Sequence, residues 1–480
     1  MIRERIAVAF ITLSIAFSGV FGFEVVRQLN NPNSQLVASN ASPGADATTV
    51  TDTASPIPGA ATGGPSSVPG GGGGGTSTTT TTTGGGTTTT RGSAPKPATD
   101  QAHSGVTGDR ILVGGIFDET NAVDSTVERD TVRAYFSKVN AAGGINGRKL
   151  VLEDCDSQYD NNVAHSCSQK MISDNVLAIV GWTAPKGEDN EVQYLTQNGV
   201  PVVGGLGTPH EFSSPLSYPV SVPFTRYGAG IADLFVKNGY KHPAIIYISD
   251  VGWVAPVRDS LLASLHARGI QETHVEAATT TDQSYSQHIA AMEHQNDTNV
   301  ACASPTVCPD SVIAALDPYS YVKLTQAMET VNWYPPIVAG GFDKGSFQAS
   351  YDQELKGAQS LVPFLSPYDN ASNPTVSDYL STVKKYYPSQ YDALDVYTQH
   401  SWTSAMIFVE ALKRAGRNVT RSTLVDALNT IQNFDTGWSK PISYGSGNHD
   451  PNHCFRFMKH DNQTAPQGSW HTVSDWNCYS

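Results

Sequence analysis

From residue 106 onward, short β-branched runs alternate with segments of helical period, and no other feature limits the fold as strongly. The runs are Arg110–Phe117 (RILVGGIF), Lys149–Glu153, Val176–Gly181, Val200–Gly205, His242–Ser249, Ser311–Leu316 and Pro336–Gly341. Between the first two, Val132, Tyr135, Phe136 and Val139 fall at i, i+3, i+4 and i+7, one apolar face of a helix that Gly143 can end. Further helical patterns lie at Gly228–Asn238, Pro256–Arg268, Tyr319–Asn332 and Val396–Ala415. This alternation predicts an α/β fold of parallel sheets covered on both faces, with ligands bound at the carboxyl ends of the strands. The 375 residues from 106 to 480 exceed one such sheet, so two similar lobes with a cleft between them are expected.

The preceding chain reads differently. Residues 33–105 are almost entirely Thr, Gly, Ala, Ser and Pro, with Gly70–Gly75 unbroken and Thr runs at Thr78–Thr83 and Thr87–Thr90. So few large apolar side chains cannot offset the entropy of ordering, and a disordered linker is expected, with an r.m.s. span of roughly 45 Å. A tether and a plain spacer both fit. At the N-terminus, Arg3 and Arg5 precede an uncharged run from Ile6 to Phe23 closed by Glu24. As a helix that run would span ~27 Å, near a bilayer core. Residues 1–24 are therefore a signal peptide, cut near Ser18 or Gly22, or a retained signal anchor. Either reading exports the chain, and a tethered protein outside the cytoplasmic membrane is expected, or a secreted one if the segment is cleaved.

Six cysteines agree with export. They form three close pairs, none spaced CxxC, and short-loop closure predicts Cys155–Cys167, Cys302–Cys308 and Cys454–Cys478. Buried free thiols are the alternative. The formal charge of −14 argues against nucleic-acid binding and against docking on anionic lipid.

Enzymatic signatures are missing: HExxH, GxSxG and GxxxxGK[ST] do not occur, GxGxxG is complete only within the Gly70–Gly75 run of the linker, and no two of the 13 histidines form HxH. Neither a metal, a cofactor nor a catalytic residue is expected. The strand-end loops suit binding instead. After the fourth run, Gly205–Thr208 lets backbone N–H groups approach an anion, Leu206 included, and Thr208 adds a hydroxyl. Phe117 and Asp118 follow the first run, and Trp182, Thr183 and Lys186 the third; Trp253, Asp317, Tyr319, Phe342 and Asp343 occupy the corresponding loops of the second lobe. Lobe packing is the alternative for each aromatic, and helix capping for Asp118.

The segments NAAGGINGRKLVLEDCD (140–156), LAIVGWTAP (177–185), GVPVVGGLGTP (199–209) and AIIYISD (244–250) stand in an order that closely resembles type I periplasmic binding proteins of the branched-chain amino acid group, the solute-binding subunits of ABC importers. The resemblance implies two Rossmann-like lobes joined by three crossovers, residues 106–225 plus 363–435 and 226–362 plus 436–480. It implies that Thr208 and the backbone of Leu206, with the Trp182–Lys186 loop, take an amino acid's carboxylate and amine. The family's serine falls near Pro185, so Thr183 or Lys186 inherits that contact. Trp253 and Asp317–Tyr319 stand where the family places aromatics, and Asp343 where an acid pairs with the ligand ammonium. Asp317 itself departs from that pattern. So does the loop after the third strand, which lacks the family's cysteine and leaves Cys167 to pair with Cys155; the lipoprotein cysteine is also absent. The implied function is a monomeric, non-enzymatic binding protein closing on an amino acid or related compound for a membrane permease and ATPase. A sensory receptor domain of the same fold, acting through a membrane partner, is the alternative.

Overall fold

The computed structural model describes residues 104–121, 123–293, 308–340, 357–445, 449–460 and 470–479. The segment 1–24 and the linker as far as residue 103 lie outside the described residues, as do Cys302, Phe342 and Asp343. Ser104 and Gly105, grouped with the linker by composition, already belong to the folded body: Ser104 is buried and the Gly105 carbonyl accepts from Leu112 N at 2.7 Å.

Two sheets organise these residues. The first has the order β2-β1-β3-β4-β5, all parallel, from Arg110–Phe117 (β1), Lys149–Asp156 (β2), Ile179–Val180 (β3), Val202–Val203 (β4) and Ser217–Tyr218 (β5). Successive side chains of a strand point to opposite faces, so a strand buried on both must be apolar throughout. Ile111, Val113 and Phe117 face one core with helices Thr126–Ala141 (α1), Val396–Ala415 (α10) and Arg421–Asn429 (α11). Ile116 faces the other, with Asn161–Ser173 (α2) and Glu188–Gln197 (α3).

The second sheet has the order β12-β11-β10-β9-β8-β6-β7. Its parallel part comprises Pro243–Ile248 (β6), His274–Ala278 (β7), Ser311–Ala315 (β8), Ile337–Gly340 (β9) and Gln359–Val362 (β10). Helices Phe224–Asn238 (α5) and Val254–His266 (α6) cover one face, Ser286–Glu293 (α7) and Pro318–Val331 (α8) the other. Cys454–His460 (β11) then runs antiparallel to β10, and Trp470–Thr472 (β12) and Asn477–Cys478 (β13) antiparallel to β11. The sequence reading proposed none of these three strands, nor β5, β7 or β10.

The chain passes from β5 to α5 and β6, returns through α10 and α11 to the first core, and crosses again to β11. The central helix α10 seats closely on the β3 and β4 ends. Ser401 Oγ donates to the Gly181 carbonyl at 3.0 Å, and a Cβ on Gly204 would stand 1.7 Å from Ser404 Oγ. With φ of +90° as well, position 204 admits only glycine without rearrangement.

Each lobe carries one described disulfide. Cys155–Cys167 joins the end of β2 to α2, and Cys454–Cys478 joins β11 to β13. The third expected pair has Cys302 outside the described residues.

Candidate functional site

The strand-end loops of both sheets enclose a cavity of about 140 Å³. From the first lobe it is lined by Ser125, Glu128, Tyr159, Thr183, Pro185 and Leu206. The second lobe contributes Trp253 and Asp317 at its strand ends, and behind them Phe224, Tyr227, Ile248 and Leu261.

The first lobe braces its loops with buried polar groups. Asp118 follows β1, and its Oδ1 accepts from Ser157 Oγ at 2.6 Å and from Tyr159 N at 2.7 Å. Its backbone holds both neighbours, with N donating to the Thr183 carbonyl and O accepting from Ser125 N. Burial pushes the Asp118 carboxyl up to about 6, against the lowering effect of those two bonds and of Lys186. Asp118 is therefore a strut beneath the wall, absent from the wall itself.

The loop after β4 has a different environment from the one its glycines suggest. Leu206 N donates to Glu188 Oε1 at 2.7 Å, and Ala184 N to Glu188 Oε2 at 3.1 Å. Gly207 N and Thr208 N both donate to Glu211 Oε1, at 3.0 and 2.9 Å, and Thr208 Oγ1 reaches the same oxygen at 3.0 Å. The anion-binding donors expected for a ligand carboxylate are thus taken by two carboxyls of the chain. Both glutamates are buried, and burial pushes both above the ordinary carboxylate range; for Glu188, repulsion from Glu211 adds to the effect. Thr208 caps the short helix that follows and does not line the cavity.

The remaining expected residues separate clearly. Thr183, Leu206, Trp253 and Asp317 line the cavity. Phe117 and Trp182 are buried in the two cores of the first lobe. Tyr319 is 47% exposed, with Lys323 Nζ 4.5 Å from its ring centroid. Asp317 doubles as the N-cap of α8, accepting from Ser320 N at 2.9 Å.

Several contacts cross between the lobes. Trp253 Nε1 donates to the Pro185 carbonyl at 2.7 Å while its ring stacks on Phe224 at 5.1 Å. Lys186 Nζ reaches Thr280 Oγ1 at 3.1 Å and Asp250 Oδ2 at 3.5 Å. Tyr159 faces Asp317: burial first, then the Asp317 charge, raises its hydroxyl well above the usual phenol range. Sequence reasoning missed Tyr159, Ser125 and Glu128. Tyr159 is an aromatic in the loop after β2, the one early strand end left unread. Ser125 and Glu128 extend the Val132–Tyr135–Phe136–Val139 stripe backwards at helical spacing.

The periplasmic binding protein family model matches residues 111–465. The chain belongs to that family. This periplasmic binding protein is 25% identical over 159 residues to the Leu/Ile/Val-binding protein homolog 3 of Brucella melitensis, covering 32% of this chain and 43% of that one. The match thus spans less than half of the relative's own length. A fatty acid ABC transporter substrate-binding protein from Thermomonospora curvata superposes with a TM-score of 0.67 at 17% identity, covering 80% of this chain and 97% of that one. The leucine-binding protein LivK of Thermotoga maritima gives 0.63 at 16%, covering 76% and 98%. At such identities the likeness establishes the shared type I fold. The family is one of solute binders, not of enzymes, and it implies a site of action outside the cytoplasm.

Proposed function

We infer that this protein is an extracytoplasmic solute-binding protein whose lobes close on a small organic molecule, an amino acid or a related compound, for delivery to an ABC-type importer. The observation that carries the reading is the cavity at the strand ends, lined from both lobes and mostly apolar on the second. A ligand held there contacts both halves at once, so it favours the arrangement in which they meet. The Trp253–Pro185 and Lys186–Asp250 contacts act as latches on that arrangement. The importer follows from the family and from relatives named for leucine and for a fatty acid, which share a solute with an apolar body. A thermal-shift screen of the purified protein against amino acids, amides, amines and small aromatic acids tests the reading. Ligand at 100 times its Kd adds about 2.7 kcal/mol and raises the melting midpoint by several degrees. A folded protein that responds to none of these classes refutes it.

A further inference from the structure

We propose that the ligand is a small amphipathic amine, an aryl or branched alkyl body of about one ring's size bearing a cationic head and no carboxylate. This rests on the reading of the cavity as the solute site and narrows the amino acid expectation to its decarboxylated relatives.

The apolar end is set by the second lobe. The wall does not stop at the strand ends: Ile231, Leu261, Ile313 and Leu361 line the cavity and also belong to the core between α5, α6 and the sheet. Phe224 and Trp253, stacked at an interplanar angle of 23°, line the same cavity. The volume, about 140 Å³, is close to that of an engineered apolar cavity of about 150 Å³ that holds one benzene. A single ring or a short branched chain fits, and a long acyl chain does not.

The polar end is set by charge. Glu128, from α1, and Asp317, at the start of α8, approach the cavity from different lobes. Among the described residues no Lys, Arg or His lines it. Lys186, in the first-lobe loops, is paired with Asp250 and Thr280, its Nζ 5.5 Å from the ring centroid of Tyr159. Ser125 Oγ is buried in the wall without a hydrogen-bond partner, available to the ligand's head. The backbone donors that would receive a carboxylate are occupied by Glu188 and Glu211. A ligand carboxylate would be buried beside two acids with only neutral hydroxyls such as Ser125 Oγ in the wall and no cation, a costly arrangement, whereas an ammonium gains charge-assisted bonds.

Matched probes decide it by calorimetry on the full protein. 3-Methylbutylamine is compared with leucine and 4-methylpentanoate, and 2-phenylethylamine with phenylalanine and 3-phenylpropanoate. The amines should bind at least tenfold more tightly than their partners. Glu128→Gln and Asp317→Asn should each weaken them at least tenfold, the second without loss of the cap, since Asn also caps helices. Val257, on α6, lines the recess, and Val257→Trp, which fills it, should abolish binding. Tighter binding of the amino acids or acids, lost in Val257→Trp, overturns the amine while leaving the solute-binding reading intact. Failure of all six probes to bind the folded protein likewise overturns the amine class. Binding that Val257→Trp leaves unchanged places the ligand elsewhere, and removes both this inference and the cavity's proposed role.

Discussion

The first lobe meets the cavity with Ser125, Glu128, Tyr159 and Thr183, whereas the second presents Phe224, Ile248, Trp253 and Leu261. Beneath these surfaces the contrast continues. The first lobe keeps Asp118, Glu188 and Glu211 buried behind its loops, and the second backs its wall with the aliphatic core of α5 and α6. A buried carboxyl responds to pH and discriminates by charge; buried hydrocarbon does neither but contributes area-proportional affinity. The two halves of one site are therefore separable by experiment: pH sensitivity belongs to the first lobe and most of the binding strength to the apolar wall of the second, while each lobe places one acid at the cavity, Glu128 and Asp317.

Substitutions can sharpen or break this division. The largest effect on stability is expected from the second lobe's disulfide. Replacing Cys454 and Cys478 with Ser releases a loop with a sequence separation of 24, which costs about 3.4 kcal/mol in a chain-entropy account. Urea unfolding monitored from Trp fluorescence measures it. If the first-lobe sheet melts at lower urea together with β11–β13, the lobes are one cooperative unit.

Next is Asp118, whose folded carboxyl lies above its ordinary value of 3.8, at about 6. Because the folded state holds the proton more tightly, stability is greatest below pH 4 for this group and falls as pH rises towards 6. The full difference is about 3 kcal/mol. Asp118→Asn should remove that part of the slope in unfolding titrations between pH 4 and 7. A slope unchanged by the substitution would assign all of it to Glu188 and Glu211.

Trp253→Ala deletes both the stacking on Phe224 and the bond to the Pro185 carbonyl. It should weaken whichever ligand the screen finds about a hundredfold, or about 2.7 kcal/mol, without changing the preference among matched probes. A changed preference would show that the second lobe's apolar wall, and not only Asp317, selects. The smallest effect is expected from Lys186→Met. Its pairing with Asp250 spans 3.5 Å between partly exposed side chains, so about 0.5 kcal/mol is lost. That is about a twofold faster ligand release in stopped-flow, vanishing at high salt.

How far the sequence speaks for each region follows from the range of the interactions involved. The helix expected at Val396–Ala415 has those bounds in the structure, and β1 those of its apolar run. Both are local patterns with strong period and clear flanks. The apolar runs at 176–181 and 200–205 shrink to two-residue strands, because glycine turns bring their ends against α10. Strand β11 carries Arg456, Lys459 and His460 among apolar residues, and its burial does not alternate. Its identity as a strand depends on the β10 edge it pairs with. At the site, Thr183, Leu206, Trp253 and Asp317 were visible because residues after parallel strands converge by topology alone.

By itself the sequence determined that an alternating α/β body follows a Thr/Gly-rich segment, where the strand-end loops fall, and that neighbouring cysteines can close short loops. Each depends on composition or on residues near in sequence. Only the tertiary structure decided what those loops face. Glu188 and Glu211 lie 23 positions apart and meet beneath Leu206–Thr208, and the recess behind Trp253 opens between α5 and α6. Charge pairing and cavity shape arise where distant segments pack, and a linear pattern carries no term for that distance.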